Sequence, residues 1–148
     1  MSTHNNFIPI NIAIVTISDT RILDNDKSGD VLEDRVLKSN HKIISRDIVK
    51  DNFEEIYELF SNLINNEKID VIISTGGTGL TGRDITPEVM KKLFEKTIDG
   101  FGEMFRWLSY SKIGTSSLQS RALAGVSNGT YIFCLPGSPS ACRDGWDQ

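Results

Sequence analysis

Apolar and polar positions in this chain follow two alternating rhythms. Ile10-Asn11-Ile12-Ala13-Ile14-Val15-Thr16-Ile17 is a nearly unbroken apolar run, the pattern of a strand buried on both faces. Ser18-Asp19-Thr20-Arg21 closes it, and a polar loop with several acidic residues follows. Ser28-Gly29-Asp30 opens a helix expected to run to about Asn40. Residues 42–49 read as a second strand. From Asp51-Asn52-Phe53-Glu54 a helix starts, with Phe53, Ile56, Tyr57, Phe60, Leu63 and Ile64 on one apolar face. Residues 69–74 give a third strand. Thr86-Pro87-Glu88 begins a helix expected to reach about Lys96, carrying Val89, Met90, Leu93 and Phe94. Strands alternating with helices predict a parallel sheet covered on both faces.

The last third breaks this rhythm. Gly100-Phe101-Gly102-Glu103 leads into a short helix expected around Met104–Leu108. Two apolar runs, 123–126 and 130–135, flank Ser127-Asn128-Gly129, and Asn-Gly between such runs is a strong hairpin signal. One antiparallel pair is therefore expected in an otherwise parallel sheet. Pro136-Gly137 ends the hairpin, and Ser138-Pro139 supplies an N-cap with proline at the first helical position.

The candidate chemistry lies between the third strand and the helix at Thr86, in Ser74-Thr75-Gly76-Gly77-Thr78-Gly79-Leu80-Thr81-Gly82-Arg83-Asp84. Glycines leaving a buried strand expose backbone N–H groups and let a ligand approach closely; such groups favour anions, phosphate above all. Arg83 is suited to gripping a phosphate and Asp84 to holding a divalent metal that the phosphate also binds. Two familiar motifs nearly match. Gly77, Gly79 and Gly82 have dinucleotide-fold spacing, but the helix starts too far beyond Gly82 and no second strand ends in a suitably placed acid. Gly77 and Gly82 also have P-loop spacing, but Arg83-Asp84 stands where Lys and Ser/Thr are required.

Size and charge narrow the classes. The 148 residues suit one domain, 1–148, with a sizeable core. A net charge of −4 carries no general basic footprint for nucleic acid. No apolar run approaches a membrane span, and Met1 to Phe7 has neither a basic start nor an apolar core. Cys134 and Cys142 are expected to be inert buried thiols, and His4 and His41 provide no zinc-ligand spacing. The expected location is reducing and cytoplasmic.

Four segments in order, the Thr-Gly-Gly-Thr-Gly loop with Arg83 to Glu88, Gly100 to Glu103, Ser120-Arg121, and Leu135 to Pro139, resemble the MoaB/MogA family of molybdenum-cofactor biosynthesis proteins. Phe105 to Ser109, Ile113 to Ser116 and Ala141 to Arg143 are closer to its MoaB branch. The resemblance covers Ile12 to Trp146 and implies a three-layer α/β/α sandwich with a mostly parallel sheet. It implies assembly as a trimer or a dimer of trimers; the charge and the apolar pattern already lead us to expect no nucleic acid and no membrane as partner. It also implies binding of molybdopterin, a pterin with a dithiolene and a terminal phosphate, and of ATP with Mg²⁺. In active members the phosphate attacks the α-phosphorus of ATP, giving adenylylated molybdopterin and pyrophosphate. Family members usually continue past the point where this sequence stops, so the helix begun at Ser138 is expected to be truncated.

Carried onto this chain, the resemblance makes Asp84 and Asp51 the catalytic, metal-holding carboxylates. The other readings are a turn or cap for Asp84 and, through the Asp51-x-x-Glu54 pattern, a helix cap for Asp51. Ser18 and Asp19 are candidate nucleotide or pterin contacts, or a plain strand-ending turn. Thr75, Gly76, Gly77, Thr78 and Gly79 would bind phosphate or pterin, with Arg83 beside them. Pro136, Gly137, Ser138 and Ser140 surround a helix start whose positive dipole end suits an anion. Arg121 would hold a phosphate or lie in a subunit interface. Glu103 would touch the pterin or complement its helix dipole. Phe101, Phe105 and Trp107 are expected in core or interface rather than against a ligand ring.

Overall fold

The structure, a computed structural model, describes residues 6–148; His4 and the rest of residues 1–5 lie outside it. The elements, in order, are β1 (Asn11–Ile17), α1 (Lys27–Lys38), β2 (Lys42–Val49), α2 (Phe53–Ile64), β3 (Val71–Thr75), α3 (Thr86–Leu93), β4 (Lys96–Thr97), α4 (Asp99–Ile113), β5 (Leu123–Ser127), β6 (Thr130–Leu135) and α5 (Pro139–Asp147). Short 3₁₀ turns occupy Leu23–Asn25 and Gly114–Gln119.

The six strands form one sheet in the order β2-β1-β3-β6-β5-β4. β1 pairs in parallel with β2 and β3, and β3 in parallel with β6. β5 pairs antiparallel with both β6 and β4, so β5 alone runs against the rest. The hairpin turns at Asn128 (φ 48°) and Gly129 (φ 76°), the paired positive φ values of a type I′ turn that Asn-Gly adopts readily.

Every residue of β1 from Ile12 to Ile17 is buried, because helices cover both faces. The alternation of side chains sorts the core in two. Ala13, Val15 and Ile17 pack with Ile56, Phe60, Leu63, Val89 and Met90 from α2 and α3. Ile12 and Ile14 pack with Leu32 and Val36 from α1, Phe105 from α4 and Cys142 from α5. The result is the expected three-layer α/β/α arrangement.

Three boundaries differ from the sequence reading. α1 starts at Lys27 because the buried Asp26 caps it, its Oδ1 accepting from Gly29 N at 3.1 Å. α3 ends at Leu93; Phe94 is extended, and Lys96–Thr97 becomes an edge strand pairing Lys96 with Val126. The short helix expected at 104–108 is the middle of the 15-residue α4.

Candidate active-site cleft

With β1, β2, β3 and β6 parallel, their carboxyl ends share one edge of the sheet. β2 and β3 lie on opposite sides of β1, and the crevice at such a switch point is where open α/β sheets bind ligands. A cleft of about 610 Å³ opens there. Its walls bring together Ser18, Asp51, Thr75, Gly76, Gly77, Thr78, Gly79, Asp84, Pro136, Gly137, Ser138 and Ser140 from the sequence reading.

The glycine loop runs through a narrow space. Gly76 (φ 108°) and Gly77 (φ 69°) both take left-handed backbone. A Cβ at Gly76 would stand 2.2 Å from the Ile17 carbonyl, and one at Gly77 2.2 Å from Thr86 Oγ1 and 3.1 Å from Asp51 Oδ1. Only glycine fits both requirements. The loop is pinned from several sides: Gly76 N–H donates to Leu135 O (2.9 Å), Thr86 N–H to Gly77 O (3.1 Å) and Thr75 Oγ1 to Pro136 O (2.8 Å). The Gly76 N–H is thus satisfied inside the fold, and any donation to a ligand falls to the N–H groups after it.

The two carboxylates have opposite environments. Asp84 Oδ2 accepts from Thr81 N (2.9 Å) and Thr81 Oγ1 (2.8 Å). Burial raises its pKa, but these hydrogen bonds, with the Gly79 N–H and the Arg121 charge, outweigh burial and hold it below the ordinary carboxylate value. Asp51 has its Oδ1 buried without a partner. Burial first, then the neighbouring Asp19 and Asp84 charges, raise its pKa, with Arg83 opposing. The helix-cap reading of Asp51 does not hold: the cap of α2 is Asn52, whose Oδ1 accepts from Glu55 N at 3.1 Å.

The remaining charged candidates brace the site or lie apart. Arg83 Nη2 pairs with Asp19 Oδ2 at 2.6 Å, and that hydrogen bond lowers the Asp19 pKa. Asp19 Oδ1 in turn accepts from Asp51 N (3.1 Å). Arg121 donates to Gly79 O (2.8 Å) and Asp84 O (2.7 Å) and pairs with Glu88, tying the glycine loop to α3. Asp19, Arg83 and Arg121 are not among the residues that line the cleft. Glu103 is exposed on α4 and is not part of the wall. Ser18 Oγ accepts from Thr20 and Arg21 N–H groups, and Ser138 Oγ caps α5 by accepting from Ala141 N at 3.1 Å. Trp107 is 73% exposed, whereas Phe105 is buried and also floors the cleft.

Sequence reasoning missed the opposite wall. Phe105, Ser109, Lys112 and Ile113 line it from one face of α4, Asp144 from α5, and Thr16 and Ser28 from β1 and α1. Lys112 pairs with Asp144 across the gap between α4 and α5. The i, i+4, i+7 spacing of Phe105, Ser109 and Lys112 is a helical signal that extends beyond the helix expected to end at Leu108.

Comparisons with known proteins agree with this fold. The sequence profile of the family described as "Probable molybdopterin binding domain" matches residues 13–148. The chain belongs to this molybdopterin-binding family. It is 47% identical over 142 residues to the Escherichia coli (strain K12) "Molybdenum cofactor biosynthesis protein B", covering 96% of this chain and 84% of that protein. It is 39% identical to the Methanocaldococcus jannaschii "Probable molybdopterin adenylyltransferase", covering 95% and 87%. A crystal structure of molybdenum cofactor biosynthesis protein B superposes with a TM-score of 0.92 at 41% identity, covering 95% and 88%. The tungsten cofactor synthesizing protein MoaB from Pyrococcus furiosus superposes with 0.83 at 35% identity, covering 94% and 89%.

Proposed function

We propose that this chain, as one domain, binds molybdopterin and transfers AMP from Mg-ATP to its terminal phosphate, releasing pyrophosphate. The observation that carries the reading is the pairing of the glycine loop with Asp51 and Asp84. A buried carboxylate oxygen with no donor, beside a second carboxylate and a phosphate-sized loop, is an acceptor set awaiting a cation. Two carboxylates suit Mg²⁺, which takes one or two carboxylates and completes its shell with water and substrate phosphate oxygens. Asp51 and Asp84 would hold it, and when bound it neutralises charge on the transferring phosphoryl group.

Nucleotidyl transfer needs positioning and charge stabilisation more than covalent help from the protein. A terminal phosphate oxygen of molybdopterin attacks the α-phosphorus of ATP. The new P–O bond forms as the α–β bridge breaks, and pyrophosphate leaves. The loop N–H groups beyond Gly76 and the N-terminus of α5 at Ser138 and Ser140 receive phosphate oxygens; the charge of Lys112 at the opposite wall is met by Asp144. The Arg83–Asp19 pair and Arg121 hold the loop in register.

The test is incubation with molybdopterin and Mg-ATP, following adenylylated product and pyrophosphate. Both are expected. Pterin binding without pyrophosphate release would replace the enzyme by a non-catalytic carrier in the same pathway, and absence of pterin binding would remove the reading altogether. The assembly expected with this function is a trimer or dimer of trimers. Met104, Trp107, Tyr110 and Ile113 are each more than half exposed along α4, with Leu118 beside them, and support it. A monomer by light scattering at micromolar concentration would overturn that part. The working location is the cytoplasm; both cysteines are free and buried, and no helix among the described residues is long and apolar enough to cross a membrane.

A further inference from the structure

The wall of the cleft formed by β1 and α1 contains an oddity that phosphate binding does not explain. Ser28, in the first turn of α1, is 1% exposed, yet its Oγ has no hydrogen-bond partner. The residue lies on the cleft wall beside Thr16. A buried hydroxyl is rarely left alone, because an unmade hydrogen bond costs free energy. Its neighbours are fully engaged elsewhere: Asp26 accepts from Thr16 Oγ1 (2.7 Å), Gly29 N (3.1 Å) and Arg46 Nη2 (3.2 Å).

The charge around this corner speaks against an anion. Asp26, Asp30 and Glu33 all pair with the one guanidinium of Arg46. Arg21, whose Nη1 is held on the Asn25 carbonyl, and Lys27 at the start of α1 are the other cations near this corner, and Asp24 is a fourth carboxylate. Four carboxylates against three cations leave the corner net negative, offsetting the dipole of the α1 N-terminus. The phosphate-seeking groups, the glycine loop and the start of α5, come from other segments, the loop beginning at Thr75, the β3 neighbour of Thr16. A hydroxyl both donates and accepts; Thr16 Oγ1 gives its hydrogen to Asp26 but keeps lone pairs free to accept. In a negative corner the complementary ligand group is neutral and presents an N–H donor.

We infer that Ser28, with Thr16 beside it, is a specificity-determining contact that reads the amino edge of a nitrogen heterocycle, while the phosphates of the same ligand occupy the glycine-loop side. The inference rests on the nucleotide-and-pterin reading above. Both the adenine of ATP and the pterin of molybdopterin carry such an exocyclic amine, so the chemistry is shared and the experiment must separate the sources.

The experiment is calorimetric titration of the wild type, Ser28→Ala and Ser45→Ala with molybdopterin, AMP, IMP and inorganic pyrophosphate. Ser45 has an unpartnered Oγ too but lies on β2 away from the cleft, which makes it the control. Ser28→Ala is expected to weaken one heterocycle by roughly five- to tenfold, the loss of one neutral hydrogen bond, and to leave pyrophosphate unchanged. Weakened AMP with lost AMP-over-IMP preference assigns the corner to adenine; weakened molybdopterin alone assigns it to the pterin. The apo Ser28→Ala protein is expected to melt no lower than the wild type, since it loses only an unsatisfied group. Unchanged binding of both heterocycles, an equal loss for pyrophosphate, or an equal loss in Ser45→Ala overturns the inference. A wild type that binds neither AMP nor molybdopterin overturns the functional reading first, and this with it.

Discussion

The two faces of the sheet are packed to different standards. Against α2 and α3 the core is closed: Ala13, Ile56, Phe60, Ile72, Val89, Met90 and Ile132 all have no measurable exposure. Against α1, α4 and α5 it is interrupted. The ligand cleft opens at the strand ends, and an apolar cavity of about 300 Å³ lies further along, lined by Ile12, Leu32, Ile73, Phe101, Phe133 and Trp146 among others. The same face holds the buried carboxylate of Asp26 and the hydroxyl of Ser28. One side of this sheet secures the fold, and the other leaves surface unfilled for chemistry.

The largest effect expected is on the closed side. Phe60→Ala should cost about 3–5 kcal/mol in denaturant unfolding, because a well-packed site cannot collapse around the hole. Phe105→Ala on the open side should cost less, about 1–3 kcal/mol, while impairing ligand affinity, because the buried ring borders the cleft and water can enter the space it leaves. Equal costs at the two positions would break the comparison. Next is Asp84→Asn, expected to lower turnover about a hundredfold in a pyrophosphate-release assay, the loss of one preorganised electrostatic contact. Unchanged turnover would mean that Asp84 serves the Thr81 turn alone.

The smallest effects distinguish the carboxylates by pH. Asp84 has a depressed folded pKa, so its ionisation contributes stability above the ordinary carboxylate value and loses it as pH falls through the folded one. Asp84→Asn should therefore be slightly less stable near neutrality, and the gap should close in acid. Asp51 has a raised folded pKa, so its contribution is present below the ordinary value and lost as pH rises through the folded one. Asp51→Asn should accordingly melt slightly higher than the wild type at neutral pH, with the advantage fading on acidification. Added Mg²⁺ should raise the melting point of the wild type and leave that of Asp51→Asn unmoved. A lower melting point for Asp51→Asn at neutral pH would show that the carboxylate already has a partner.

The closed side was the more legible in sequence, and for a physical reason. Phe53 to Ile64 repeats its apolar residues at helical spacing because one face of α2 is buried and the other wet. The Asn128-Gly129 turn and the Ser138 cap were readable because each satisfies a local backbone demand with its own residue type. α4 was cut short because Met104, Trp107, Tyr110 and Ile113 are apolar yet exposed, which blurs the two-sided pattern. β4 escaped notice because two exposed residues have no periodicity; Lys96 and Thr97 are strand only because β5 offers them an edge. In the cleft, glycine-loop residues could be read from local sequence. Arg121 could not be read as a brace, nor Ser28 as a wall residue, since both roles arise from contacts across distant segments.

The thiols have a consequence for handling sulfur. Cys134 and Cys142 are buried, and desolvation pushes their pKa values up to about 12 and about 11, against the weaker opposing influence of the Ser74 and Thr75 hydroxyls. At neutral pH neither supplies appreciable thiolate, the form that attacks disulfides and binds soft metals. Cys142 sits directly beneath the cleft, its Sγ 3.3 Å from the Thr75 hydroxyl. On the proposed function, a dithiolene bound in the cleft would meet no cysteine thiolate, so no mixed disulfide would trap it and no thiolate would rival its sulfurs for a metal.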